Sequence, residues 1–327
     1  MNRVSIVVPS YRRPERLMRC LAALARQRRP VDDILVVCRA HDAETGAVAE
    51  RTPAVRRVDV ELPGVLAAMR AGARAARGDC IGFVDDDTEA HEGWLEGIVA
   101  HLADPTVGGV GGRDVVGPQP DATSTSDVGR ITAFGKLVGN HHLGVGPARD
   151  VDVLKGANMV FRRSALALPG GLRGDGAEVH FEVATSLWAA SQGWRLVYDP
   201  AVVVDHLAGP RFDDDARGAQ SARATANAAF NLVLCLGSLR PDLRRRRFIY
   251  GLVTGDRAAP GLLRAARAAL DRDRPAVARL LPSLEGQLAA HLALSRDPCA
   301  LRMYGYPSPG VEARRLVCAT PPPALKR

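Results

Sequence analysis

The sequence predicts an α/β fold: a mainly parallel sheet flanked by helices, followed by a helical C-terminal region. Three observations predict it. Short apolar runs alternate with helical-period segments through the first third of the chain. An acidic triplet stands where the fourth of those runs stops, and beyond about residue 210 the pattern is helical alone.

The elements follow in order. Residues 4–8 form an apolar run stopped by Pro9-Ser10-Tyr11, and Pro14 opens a segment with Leu17, Leu21 and Leu24 at helical spacing. Residues 34–37 and 55–60 read as a second and third strand, and residues 65–76 as a helix closed by Gly78. Residues 80–84 read as a strand running into Asp85-Asp86-Asp87. After Gly108, glycines, prolines and a Ser/Thr run over 122–127 predict loops and short irregular strands to about Asp150. Strand-like 159–161 and 196–198 flank a helix near 183–192. Helices are expected over 219–236, 248–253, 262–270 and 276–294, and the last stretch, with Pro307, Pro309 and Pro321-Pro322-Pro323, as poorly ordered.

Composition narrows the class. The 327 residues, 46% hydrophobic and 24% charged, suit one large globular domain or a domain with an appendage. Met1-Asn2-Arg3 leads straight into a strand-like run without the long apolar region of a signal peptide, and no apolar stretch has the length of a membrane span. The six cysteines are scattered without close pairs, which suits free thiols in a reducing compartment. A cytoplasmic protein is expected. From Ser221 onward there are 18 Lys+Arg against 7 Asp+Glu, whereas the preceding residues carry 26 against 29. That asymmetry reads either as a solvated basic face or as a site for an anionic partner, such as the inner surface of a membrane. Nucleic acid fits poorly, because Arg244-Arg245-Arg246-Arg247 has no aromatic residues interleaved.

Three carboxylates at a strand end repel one another unless a cation sits among them, and hard divalent ions favour carboxylate oxygens. The other reading of Asp85-Asp86-Asp87-Thr88 is an acidic turn capping a following helix. Glu182, just before a helix, reads as a general base facing a cavity or as a favourable helix-dipole charge. His206 closes an apolar run, where a lone histidine is commonly just half-buried.

Together and in this order, these segments resemble the family 2 glycosyltransferases, which use the glycosyltransferase A fold. The resemblance covers about residues 3–209. It runs from Val4-Ser5-Ile6-Val7-Val8-Pro9-Ser10-Tyr11 through Ala75-Ala76-Arg77-Gly78-Asp79, the aspartate triplet and Trp94-Leu95. It closes with Gly156-Ala157-Asn158-Met159, Glu182, Gly193-Trp194-Arg195 and Asp199-Pro200. It implies a catalytic domain over 1–209, with a nucleotide-sugar half over 1–112 and an acceptor half over 113–209, followed by a basic helical region over 210–327.

The activity implied is inverting transfer of a sugar from a nucleotide-sugar donor, UDP-linked in the first expectation, to a glycan, lipid-linked or small-molecule acceptor. By the same resemblance Asp85 and Asp86 contact the donor, and Asp87, Asp85 and His206 hold Mn²⁺ or Mg²⁺. Glu182 is the general base, Pro9 and Tyr11 line the base pocket, and Asn158 faces the acceptor. Relatives carry an Asp-rich turn after the second strand. Here it is Cys38-Arg39-Ala40-His41-Asp42, leaving Arg39 or Asp42 to meet the base. Arg70 reads as a diphosphate contact or as a surface arginine. Gly139-Asn140-His141-His142-Leu143-Gly144 reads as an acceptor loop carrying His141 and His142, or as a structural turn. A nucleotidyltransferase or a dinucleotide dehydrogenase would need a glycine-rich loop after the first strand, and Pro9-Ser10-Tyr11-Arg12-Arg13 has no glycine. A catalytically degenerate sugar-nucleotide-binding or scaffold protein is the remaining alternative.

Overall fold

The computed structural model describes residues 3–117, 124–174, 178–207, 209 and 221–316. The first half alternates as expected: β1 (Val4–Pro9), α1 (Pro14–Ala25), β2 (Asp33–Arg39), α2 (Ala43–Arg51), β3 (Val55–Val60), α3 (Val65–Ala75) and β4 (Cys80–Val84). Then come β5 (Thr88–Ala90), α4 (Trp94–His101), β6 (Val107–Val115), β7 (Arg130–Ile131), β8 (Leu137–Val138), β9 (Arg149–Asp150), β10 (Asn158–Arg162), β11 (Ala167–Gly170), α5 (Phe181–Ser191) and β12 (Arg195–His206). The C-terminal region holds α6 (Ala222–Leu239), α7 (Arg244–Val253), α8 (Leu262–Leu270), α9 (Arg274–Ala278), α10 (Leu280–Arg296), β13 (Arg302–Gly305) and β14 (Arg314–Leu316).

The main sheet has the order β3-β2-β1-β4-β10-β6-β12-β5, with β9 alongside β12. Strands β3, β2, β1 and β4 are mutually parallel, as are β6 and β12, while β10 runs antiparallel between β4 and β6. Both faces are covered. Val4, Ile6 and Val8 of β1 enter one core with Leu17, Leu21 and Leu24 of α1, whereas Val7 enters the other with Leu66 and Met69 of α3. A strand buried on both sides needs no polar alternation, hence the continuous apolar run at the start of the chain.

Three expectations are corrected. The irregular stretch begins later than Gly108, because β6 is a nine-residue strand in the main sheet, whereas the two-residue β7, β8 and β9 beyond it match the expected short strands. The glycines of β6 are demanded by close neighbours: a Cβ at Gly108 would overlap the Trp194 ring, and one at Gly112 the Val202 carbonyl. The expected helix over 276–294 is broken into α9, capped by the Asp273 carboxylate on the Ala276 N–H (3.0 Å), and α10. The C-terminal stretch is ordered as far as Leu316, since β13 pairs with β11 and β14 with β13; Pro321-Pro322-Pro323 lie outside the described residues.

The C-terminal helices follow as expected and pack on the rest of the chain. Val183, Leu187 and Trp188 of α5 share a core with Phe230, Val233 and Leu236 of α6, Leu294 of α10 and Met303 of β13. The expected boundary between donor and acceptor halves, at 112–113, falls inside β6.

Candidate active site

The acidic triplet occupies the turn that leaves β4. Thr88 closes that turn, its N–H and hydroxyl both donating to the Asp85 carbonyl (3.2 and 2.8 Å). The chain then enters β5 rather than a helix, which removes the helix-capping reading. Strand β5 pairs antiparallel with the end of β12, placing His206 opposite Thr88, and β6 brings Asp114 beside Val204. One ligand atom each from Asp85, Asp87 and His206 lie within 4.8 Å of one another. His206 Nε2 is 3.3 Å from Asp87 Oδ1, and Nδ1 is 3.9 Å from Asp114 Oδ2. Neither ring nitrogen has a hydrogen-bond partner among the described residues.

The electrostatics of this cluster call for positive charge. Burial and the neighbouring Asp87 push the Asp85 carboxyl up. Burial alone would raise Asp87, but His206 and the Gly209 N–H (2.6 Å) outweigh it and hold Asp87 well below the usual carboxylate range. Burial alone would lower His206, but the Asp114 and Asp87 carboxylates outweigh it and push the imidazole up to about 9. Two carboxylates and an imidazole form a donor set that could hold a divalent ion, with Asp114 near the far side of the imidazole. Asp86, expected at the donor, lines the same cavity but is largely buried. It accepts from Ser10 Oγ (2.7 Å) and Arg13 Nη1 (2.7 Å), and burial pushes it up to about 6. It anchors the turn to the chain that follows β1.

The cluster opens into a cavity of about 660 Å³ that also reaches Pro9, Tyr11, Arg13, Arg39, Lys155, Glu178, His180 and Glu182. Glu182 sits in the first turn of α5, and His180 caps that helix with φ 72°. The loop before it is gripped from the C-terminal region. Asn231, fully buried on α6, accepts from the Arg173 N–H (2.7 Å) and donates to the carbonyls of Arg173 (2.8 Å) and Val179 (3.1 Å). A buried amide with its groups satisfied holds Arg173 and Val179 in place, so α6 helps position the Glu182 end of the cavity.

At Tyr11 the ring meets the edge of His41 (centroids 6.0 Å apart), with the Arg12 and Arg39 guanidinium groups 5.1 and 5.7 Å from its centroid. Of the two substitutes in the altered turn, Arg39 lines the cavity and Asp42 does not. Asp42 accepts from the Arg12 N–H (2.6 Å) and caps α2 at Thr45 (3.3 Å). The Cys38 thiol turns to Asp59 (3.8 Å).

Four expected residues are not brought to the cavity. Arg70 donates to the Pro169 carbonyl and lies over the Tyr304 ring (5.7 Å), lining a separate cavity of about 790 Å³ against β13. His141 is buried; its Nε2 meets the Val153 carbonyl (2.9 Å), and its own carbonyl accepts from Tyr198 Oη (2.8 Å). The His142 carbonyl accepts from Arg113 Nε (3.2 Å) in the same 3₁₀ turn, so this loop is the structural turn of the two readings. Asn158 is wholly buried: its Oδ1 accepts from Trp94 Nε1 (2.8 Å), and its Nδ2 donates to the carbonyls of Val202 (3.2 Å) and Arg113 (3.4 Å). It staples α4, β6, β10 and β12 rather than touching acceptor. Asn158→Ala should therefore cost about 3 kcal/mol or more, at roughly 1–3 kcal/mol for each buried group left unpaired. Denaturant unfolding reads that loss, and a change confined to acceptor KM at unchanged stability would contradict the assignment.

Sequence reasoning missed Asp114, Arg13, Lys155 and Asn231 as parts of the site. Arg13, close to the first strand end, and Lys155, at the head of the Lys155-Gly156-Ala157-Asn158 segment, carried a local signal.

The model of the family described as "Glycosyltransferase like family 2" matches residues 2–224. A pre-mycofactocin glycosyltransferase of Mycobacterium tuberculosis is 31% identical over 146 residues, a match spanning 44% of this chain and 30% of that protein. The chain thus spans less than a third of that relative's length. Among solved structures, the mannosyltransferase PcManGT from Pyrobaculum calidifontis, in complex with GDP-Man and Mn²⁺, superposes with a TM-score of 0.50 at 19% identity, covering 90% of this chain and 88% of that one. TarS 1–349 of S. aureus, in complex with UDP-GlcNAc, superposes with a TM-score of 0.54 at 14% identity, covering 91% and 89%. At such identities the likeness is one of fold, the glycosyltransferase A fold.

Proposed function

The chain belongs to the family 2 glycosyltransferases, and we propose that it transfers a sugar, with inversion, from a nucleotide-sugar donor to an acceptor hydroxyl. The observation that carries this reading is the Asp85–Asp87–His206 cluster opening into the same cavity as Glu182.

The chain's own groups divide the work. Asp85, Asp87 and His206 would hold Mn²⁺ or Mg²⁺. When bound, the ion supplies Lewis-acid stabilisation of the departing diphosphate. Arg13 and Lys155 add positive charge to the same wall, where negative charge develops on the leaving group. The Tyr11 ring offers a face for the base, and Arg39 a donor for its edge. Glu182 accepts the proton of the acceptor hydroxyl as that oxygen attacks the anomeric carbon on the face opposite the diphosphate. A single displacement inverts the centre and needs no nucleophilic carboxylate. The acceptor is a glycan, lipid-linked or small-molecule hydroxyl, and the setting is the cytoplasm or its membrane face.

A thermal-shift panel of UDP-, GDP-, dTDP- and CMP-linked donors, with and without Mn²⁺, tests the reading. One donor should stabilise the chain only with metal, by about 2.7 kcal/mol at a hundredfold excess over its dissociation constant. No shift with any donor and metal would overturn the reading. A shift without release of nucleotide in the presence of acceptors would favour the degenerate binding protein.

A further inference from the structure

Among the described residues no helix is long and apolar enough to cross a membrane. The C-terminal helices nevertheless carry their largest apolar side chains on the outside. On α8 the small residues face inward, Ala265 and Ala268 being 4% and 8% exposed, while Leu262, Leu263 and Leu270 are 50%, 63% and 80% exposed. Helix α10 repeats the arrangement. Its inner face is Ser283, Gly286, Gln287 and Ala290, with Gly286 against the Ala226 backbone of α6. Leu281, Leu288 and Leu292, at helical spacing on another face, are 77%, 50% and 56% exposed. Helix α9 touches both α8 and α10.

The charges around these leucines are mainly positive. Arg245 and Arg246 of α7 are exposed, as are Arg272, Arg274 and Arg296, against Asp273 and Glu285, while Arg267 is paired with Asp271 (3.0 Å). The four-arginine run contributes fewer free charges than its sequence suggests. Arg247 is 1% exposed, paired with Asp256 (2.7 Å) and donating to the Gly135 carbonyl (3.3 Å).

We propose that the outer surface of α7, α8, α9 and α10 docks on an anionic phospholipid surface, its leucines entering the acyl boundary and its arginines meeting headgroup phosphates. Leucine and arginine together on short, otherwise stable helices are the pattern of an interfacial contact. A second copy of the chain fits worse, because apposed copies would bring the same arginines together. The proposal is independent of the sugar-transfer reading, since donor binding is measured without lipid.

The test is co-sedimentation of the full chain with phosphatidylcholine vesicles, with and without phosphatidylglycerol. Binding should be about tenfold or more stronger on the anionic vesicles and fall steeply with salt. Arg245→Gln with Arg246→Gln should weaken it, and so should Leu263→Gln with Leu270→Gln. These are surface changes, so the melting temperature should stay at its original value. Absence of binding at low salt, or equal binding to neutral and anionic vesicles, would overturn the proposal. Binding that ignores the leucine substitutions would overturn it too, reducing the effect to diffuse charge attraction. A dimer dissociated by those substitutions in analytical ultracentrifugation would assign the face to a second copy instead.

Discussion

Asp87→Asn should abolish transfer, by about three orders of magnitude or more, while the protein stays folded. Loss of one charged ligand removes several kcal/mol of stabilisation from the departing diphosphate, and each 1.4 kcal/mol is about tenfold in rate. The residue qualifies because His206 and the Gly209 N–H keep it ionised, so the substitution deletes a charge that is present. An asparagine keeps the shape and one carbonyl oxygen for Gly209. The turn that holds it is secured by Thr88 on the Asp85 carbonyl, which the change does not touch. Circular dichroism and melting should therefore stay near the original, and the donor-induced thermal shift should lose its dependence on Mn²⁺. Turnover like that of the unmodified chain would sink the metal assignment.

Glu182→Gln should leave donor binding near normal and lower turnover by roughly 10²–10⁴, the range for loss of a general base. The amide preserves volume and removes basicity. The backbone around it stays pinned, because Asn231 holds Val179 and the α5 core holds Val183. Steady-state kinetics with a donor titration separates the outcomes. A collapse of donor affinity with catalysis otherwise preserved would make Glu182 a donor-site residue. Glu178, which lines the same cavity with its carboxylate against Gly64, would be examined next.

What the sequence disclosed follows from where its information was local. Strands β1, β2 and β4 were legible because their own valines and isoleucines carry the burial. Strand β6 was not, because its place in the sheet is filled by Trp194, Phe161 and Leu196 from other segments, and glycine is what fits beneath them. Helix α2 was invisible for a related reason: it buries Thr45, Gly46 and Ala49, which make no apolar stripe. The site shows the same division. Asp85, Asp87, Glu182 and His206 were legible as ordered motifs, whereas Asp114 lay in the strand that sequence reading dissolved into loops. Asn158, His141 and Arg70 looked chemical by residue type. Only tertiary packing reveals that Asn158 and His141 bond within the protein and that Arg70 turns to Pro169 and Tyr304.

The strand ends that meet at the cluster also say when it can exist. Asp87 belongs to the turn after β4, Asp114 to β6 and His206 to the end of β12, and the Gly209 that secures Asp87 is 122 positions along the chain. Contacts of such long range form only after the intervening loops have closed. On the proposed metal assignment, affinity for the ion would be a late property of folding, acquired when β12 seats between β6 and β5. A fragment ending near residue 112 would carry two of the aspartates with neither imidazole nor Asp114 beside them. Metal capture would then report completed assembly of the sheet, and a chain whose β12 has yet to dock would be silent.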